Sequence, residues 1–174
     1  LFEPFAVALH CLRQVHINEN QKVLVVGSGM IGFAVAQWAK YFKCHDVYVF
    51  GHSEYKKKIA EELGIRYITD NTNDLFDIVV EAVGANDALC NAIEKVKPNG
   101  KLILMGNPKE NVNLPNQVYW RILRKQLNLI GTWNSSYKTD ASDWDLLRRV
   151  MAASEIKGMP LVSHIFPQEE LQKG

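Results

Sequence analysis

Three glycines at a fixed spacing are the residues of this 174-residue chain best suited to chemistry. Gly27, Gly29 and Gly32 follow the apolar run Val23-Leu24-Val25-Val26 in the order Gly-x-Gly-x-x-Gly, and a helical pattern begins at Met30 and Ile31. Each glycine has its own task in such a turn. Gly27 permits the sharp exit from a strand, Gly29 lets a diphosphate approach the backbone because no Cβ intervenes, and Gly32 lets the new helix pack against the sheet. The unpaired N–H groups at that helix start, with the positive end of its dipole, form an anion site. A glycine triplet alone is a weak signal. The strand before it and the helix after it point to dinucleotide binding, with a purely structural turn as the alternative.

A second candidate group lies after the apolar run Val47-Tyr48-Val49-Phe50, which ends at Gly51. An acidic residue there would hydrogen-bond an adenosine ribose 2′-hydroxyl and repel a 2′-phosphate. No carboxylate closes this strand. Gly51 is expected to leave room for a phosphate, Ser53 to donate a hydrogen bond and Lys56 to supply charge, a charge-assisted bond being worth about 1.5–3 kcal/mol. These residues favour NADP(H) over NAD(H). Glu54 weighs against that, as does a reading of Lys56, Lys57 and Lys58 as an ordinary solvated helix face. His52 or Tyr55 could stack on an adenine.

The elements that must hold these residues follow from apolar periodicity. A helix is expected over residues 3–15, with Phe5, Leu9 and Leu12 on one face and Pro4 in the first turn. Strands are expected at 22–27, 47–50, 67–68, 76–80, 102–105 and 127–131, with a further short one at 162–166. Helices are expected at 30–43, with Ile31, Val35, Trp38, Ala39 and Phe42 facing the sheet, and at 54–63, closed by Gly64. Further helices are expected from Asn86 or Asp87, either of which could cap, to about Val96, then near 116–125 and over 143–153. Pro98-Asn99-Gly100 reads as a turn. Strands and helices alternating at short intervals predict an α/β fold, a doubly wound, six-stranded parallel Rossmann sheet with helices on both faces. All 174 residues read as one dinucleotide-binding domain.

Composition narrows the partners. Hydrophobic residues at 47% and charged residues at 22% place the chain among ordinary soluble globular proteins. Twenty Lys plus Arg against nineteen Asp plus Glu leave a net charge of +1, which gives no electrostatic reason to expect nucleic acid or a membrane surface as partner. No apolar run approaches the ~20 residues of a membrane span. No segment reads as a signal peptide, and the first residue is not Met. Cys11, Cys44 and Cys90 are far apart and odd in number, so neither a disulfide framework nor a zinc knuckle is expected. Ordinary half-buried thiols and a cytoplasmic setting are the default.

The ordered motifs Glu3-Pro4-Phe5-Ala6-Val7-Ala8-Leu9-His10, the glycine turn, Glu81-Ala82-Val83-Gly84 and Met105-Gly106-Asn107-Pro108 resemble the coenzyme-binding domain of zinc-dependent medium-chain alcohol and polyol dehydrogenases. The stretch from Leu129 through Thr132, Trp133 and Tyr137, with Asp143-Trp144, resembles their galactitol-1-phosphate and sorbitol dehydrogenase branch. Tyr48-Val49-Phe50-Gly51-His52-Ser53 is also similar to NADPH-dependent pentitol-phosphate dehydrogenases.

The resemblance covers essentially the whole chain and implies a fragment lacking the zinc-binding catalytic domain. The full-length parent would oxidise a secondary alcohol of a polyol or polyol phosphate reversibly, while the fragment alone should not turn over. Family roles carried to this chain put Glu3 near the catalytic zinc. A zinc site needs about three protein ligands, so Glu3 alone is not expected to hold the metal. Its bland reading is a carboxylate favoured by a helix first turn. Val7 would sit against the nicotinamide, Ala82, Val83 and Gly84 would pass under its ribose, and Met105, Gly106 and Asn107 would offer backbone groups to its carboxamide. The 127–132 strand would pair with its twin in a homodimer, covering an exposed edge.

His10 and His16 are expected to pack or face solvent, no partner carboxylate being in view. Trp120, Trp133 and Trp144 read as packing or interface residues. Two other classes remain open: a non-enzymatic NAD(P)-binding sensor module, and a methyltransferase, which Gly51 disfavours because such enzymes want an acidic residue there.

Overall fold

Four successive buried residues, Val23, Leu24, Val25 and Val26, form the centre of the sheet, in strand β1 (Lys22–Val26). A strand covered on both faces needs such a run. The computed structural model describes residues 1–69, 72–137, 142–167 and 169. The other strands are β2 (Asp46–Phe50), β3 (Arg66–Ile68), β4 (Phe76–Glu81), β5 (Val96–Leu104) and β6 (Asn128–Gly131). Their order is β3-β2-β1-β4-β5-β6 and every pairing is parallel. The chain winds outward from β1 to β3, then returns past β1 to β4. Strand order therefore reverses between β1 and β4, and a crevice opens at their carboxyl ends.

Helices cover both faces. Helices α1 (Phe2–Arg13), α2 (Met30–Tyr41), α3 (Glu54–Glu62) and α6 (Asp143–Ala152) share a core with Val23, Val25, Val47, Val49, Val80 and Ile103. Helices α4 (Asn86–Lys95) and α5 (Asn116–Arg124) cover Leu24, Val26, Val79 and Leu102 on the opposite face. The two-residue alternation of β1 thus divides its side chains between two cores.

Several local expectations need correction. Helix α2 does not bury one stripe: residues 32–39 are all buried, while Ile31 and Phe42 are only partly so. The cause is α1, which packs along α2 in addition to the sheet, with Trp38 Nε1 donating to the Phe5 carbonyl at 2.9 Å. The turn at Pro98-Asn99-Gly100 lies inside β5. Two steps along β4, from Phe76 to Ile78, answer five along β5, from Val96 to Lys101, and Asn99 takes φ +60° in the excess. Neither Asn86 nor Asp87 caps α4. Ala85 holds the cap position, and the Asn86 side chain instead joins the 111–113 loop, donating to the Asn111 carbonyl at 3.1 Å and accepting from Asn113 N at 3.0 Å. Residues 162–166 form no strand and follow a 3-10 turn at Met159–Leu161. Cys11 and Cys44 are fully buried and Cys90 partly so, and burial pushes the Cys11 thiol up to about 12.

Candidate functional site

The crevice at the carboxyl ends of β1 and β4 is bounded by two glycine loops that touch. Gly27 has φ +122°, a conformation that favours glycine, and its N–H donates to the Phe50 carbonyl at 3.0 Å. A Cβ on Gly27 would lie 2.9 Å from Val83 Cγ2 and 3.2 Å from the Ala82 carbonyl oxygen, so the two loops leave no space between them. Gly29 is the N-cap of α2 and has no side chain to cap it, and a Cβ there would meet nothing within 4 Å. Gly32 is the opposite case: a Cβ would fall on the Gly27 carbonyl oxygen. The turn is thus closed toward the sheet and open toward solvent. The backbone at Met30 and Ile31 begins α2 at its open mouth.

The second loop, after β4, is organised by a residue to which the sequence reading assigned no role. Glu81 is buried, and its Oε1 accepts from Val83 N at 2.7 Å and from Gly84 N at 2.8 Å. Its backbone carbonyl accepts from Met105 N at 3.0 Å and Gly106 N at 2.9 Å. Gly84 has φ +79°, and a Cβ on it would meet the Asn107 backbone, while one on Gly106 would meet both Gly84 and the Glu81 carboxylate. One buried carboxylate therefore ties the 82–84 and 105–107 loops together. A cavity of about 600 Å³ opens beside them, lined by Val83, Gly84, Gly106 and Asn107 with Leu89, Leu104 and Val112. It does not reach the glycine turn. The signal for Glu81 was available: a single carboxylate closing the run Ile78-Val79-Val80 immediately before a glycine loop.

At the end of β2 the expectation of free space fails. Gly51 is buried, and the volume its missing side chain leaves is taken by the hydroxyls of Ser28 and Tyr67. Ser53 caps α3, its Oγ accepting from Lys56 N at 3.4 Å. The Lys56 ammonium rests 5.5 Å from the centre of the Tyr55 ring, and His52 packs edge-on against Phe50 at 5.0 Å.

The remaining candidates lie on or near α1. Val7 is half-buried, and Glu3 is exposed in the first turn. Among the described residues no group of three His, Cys, Asp or Glu side chains could hold a metal ion, so Glu3 has no co-ligands among them for a zinc site. His10 has the carboxylate partner the sequence reading did not see. Its Nδ1 lies 3.0 Å from Oδ2 of buried Asp143, which also accepts from Arg13 Nη1 and from Ser136 N, both at 2.6 Å. His16 is exposed. Trp120 and Trp133 are exposed, whereas Trp144 is partly buried with its Nε1 donating to Ser135 Oγ at 3.2 Å.

Comparison with known proteins identifies the family of this fold. Residues 31–152, well over half of the chain, match the zinc-binding dehydrogenase model. This chain belongs to the zinc-binding dehydrogenase family. Galactitol 1-phosphate 5-dehydrogenase of Escherichia coli is 25% identical over 177 residues, covering 93% of this chain and 51% of that enzyme. The crystal structure of galactitol-1-phosphate dehydrogenase from Escherichia coli matches with a TM-score of 0.84 at 24% identity, covering 94% of this chain and 51% of that one. A short chain alcohol dehydrogenase from Escherichia coli complexed with cofactor NADH matches at 0.85 and 21% identity, covering 99% and 52%. A zinc-binding dehydrogenase from Sinorhizobium meliloti bound to NADP matches at 0.78 and 20% identity, covering 90% and 48%. The chain spans about half the length of the curated relatives it matches. What this zinc-binding dehydrogenase chain contains is the family's coenzyme-binding domain. Among its described residues, no helix is long and apolar enough to cross a membrane.

Proposed function

We propose that this chain is the coenzyme half of a cytoplasmic, zinc-dependent oxidoreductase. The reaction would transfer hydride between NAD(P) and a secondary alcohol of a polyol or polyol phosphate, such as galactitol 1-phosphate or sorbitol. The observation that carries the reading is the contrast between Gly29 and Gly32. A Cβ meets no atom at the first and cannot fit at the second, and a diphosphate cradle needs that pairing of open approach and tight helix–sheet contact. Gly27, Gly29, Met30, Ile31 and Gly32 hold the diphosphate through backbone N–H groups. Gly51, His52, Ser53 and Lys56 surround the adenosine ribose, with NADP favoured over NAD. Ala82, Val83 and Gly84 lie under the nicotinamide ribose. Met105, Gly106 and Asn107 bind the carboxamide through backbone groups, and Val7 faces the ring.

When bound, the nicotinamide supplies the carbon that gives or takes hydride. The part played by this chain is orientation. The Glu81 brace fixes the spacing of the two loops, and a fixed ring face is what hydride transfer requires. Zinc is not held here. Glu3 would approach a zinc ion bound by residues outside this chain. The galactitol-1-phosphate relative supports a polyol phosphate substrate. Strand β6 lies at the sheet edge with Leu129 exposed, and pairing of that edge between two copies gives a homodimer.

The test is calorimetric titration with NADPH, NADH and S-adenosylmethionine, then turnover of a panel of sugar alcohols and their phosphates by the full-length parent with zinc present. Binding of a nicotinamide coenzyme with turnover of at least one alcohol is expected. Tight binding of S-adenosylmethionine alone, or coenzyme binding with no turnover across the panel, would overturn the enzymatic reading.

A further inference from the structure

The volume beside Gly51 is filled by two hydroxyls drawn from different elements. Ser28 comes from the glycine turn and Tyr67 from β3, and a Cβ on Gly51 would collide with the oxygen of each. Tyr67 Oη lies 3.2 Å from Ser28 Oγ and accepts from Ser53 N at 3.3 Å. The partly buried ring of Tyr67 packs against the core to which α2 and α3 contribute, which fixes where its hydroxyl sits. Resting on the coenzyme reading above, we propose that Tyr67, acting with Ser28, determines specificity at the coenzyme's 2′ position and selects the 2′-phosphate.

Proton count decides the direction. The two hydroxyls carry two protons, and the bond between them uses one. The Ser53 amide occupies a lone pair of Tyr67 and brings no demand for a further proton. Whichever way the bond between the hydroxyls runs, one proton is left to donate. A ribose 2′-hydroxyl accepts it in an ordinary neutral bond. A phosphate oxygen accepts it in a charge-assisted bond, roughly twice as strong. A carboxylate at the same place has no proton to give and would reverse the preference. Lys56 adds positive charge from the first turn of α3, where its N–H is already bound to Ser53 Oγ. Gly51 is therefore required because any side chain there would displace the hydroxyl pair, and the pair rather than the vacancy does the selecting.

The test uses the intact protein. Affinities for NADPH and NADH are measured by fluorescence titration in the wild type and in the double variant Tyr67→Phe/Ser28→Ala, since either single variant keeps one hydroxyl and so one proton to donate. The wild type is expected to bind NADPH more tightly than NADH. The double variant is expected to lose about tenfold in NADPH affinity and less than twofold in NADH affinity. Phe keeps the packed ring, so retained NADH binding reports an intact fold, and Tyr67→Phe/Ser28→Gly decides the matter if the first double variant is unstable. An unchanged NADPH-to-NADH ratio in the stable double variant, a larger loss for NADH, or a wild type that prefers NADH overturns the proposal while leaving the coenzyme reading standing. A wild type that binds neither coenzyme overturns both.

Discussion

At the amino end of the sheet, charged side chains close the gaps between strands; at the carboxyl end, backbone and glycine do so. Asp77, near the start of β4, accepts from the Lys22 amide at 2.7 Å and from the Lys97 ammonium at 2.9 and 3.0 Å, linking β1, β4 and β5. Nearby, Lys125 donates to the Glu94 and Val96 carbonyls at 2.8 and 2.9 Å, capping the end of α4. The carboxyl end has Gly27, Gly84 and Gly106 packed against neighbouring backbone, with one buried carboxylate beneath them. Side chains that satisfy one another leave nothing for a ligand. Gly29, unlike those three, has no atom within 4 Å of where a Cβ would stand, and that opening is what the proposed coenzyme site uses.

The sharpest way to break this comparison is to add one methyl group at each of two glycines. Gly32→Ala puts a Cβ onto the Gly27 carbonyl. It should cost about 3 kcal/mol or more in folding free energy, read as a fall in the denaturant midpoint, and abolish coenzyme binding. Gly29→Ala adds the same atom where nothing lies within 4 Å, at φ −78° and ψ −178°, which alanine adopts freely. Stability should change by less than about 0.5 kcal/mol, while coenzyme affinity falls by roughly tenfold or more. Equal stability losses in the two variants, or unchanged affinity in Gly29→Ala, would mean that the turn is a structural one.

A smaller effect separates the brace from the loops it holds. Glu81→Ala leaves the Val83 and Gly84 N–H groups without their acceptor and should cost about 2 kcal/mol, whereas Glu81→Gln keeps an acceptor oxygen and should cost about half as much. In coenzyme titration both should bind more weakly, with Ala the worse. Equal losses in the two would show that the charge of Glu81 matters rather than its bonds to the loop.

How far the sequence foretold this molecule depends on how local each feature is. The wound sheet was legible because Val23 to Val26, Val47 to Phe50 and Ile78 to Val80 are apolar runs punctuated by glycine. The glycine turn was legible for the same reason. The Tyr67–Ser28 pair was not, because β3 is three residues long and carries no periodicity, and its tyrosine reaches Ser28 only through the register that pairs Tyr67 with Val49. The reading of Gly51 as a vacancy failed there. The His10–Asp143 contact joins residues 133 positions apart, and no spacing rule reaches that far. Residues 96–100 were misjudged because Asn99 makes its turn without leaving the strand.

The mildest test belongs to the amino rim and has a defined pH signature. Burial alone would raise the Asp77 carboxyl, but the Lys22 amide and the Lys97 ammonium more than offset it and hold the group below the ordinary aspartate value. A carboxylate whose folded pKa is depressed adds stability that is fully present above its unfolded pKa and is lost as pH falls through the folded one. Asp77→Asn should therefore cost about 1 kcal/mol at neutral pH, the pair being partly solvent-screened, with the difference from wild type shrinking as pH drops below the ordinary aspartate range. Urea unfolding at a series of pH values reads this directly, and coenzyme affinity of the folded variant should not move. A change in affinity would show that the two rims are coupled through β4, so that Asp77 at its start helps to set Glu81 at its end.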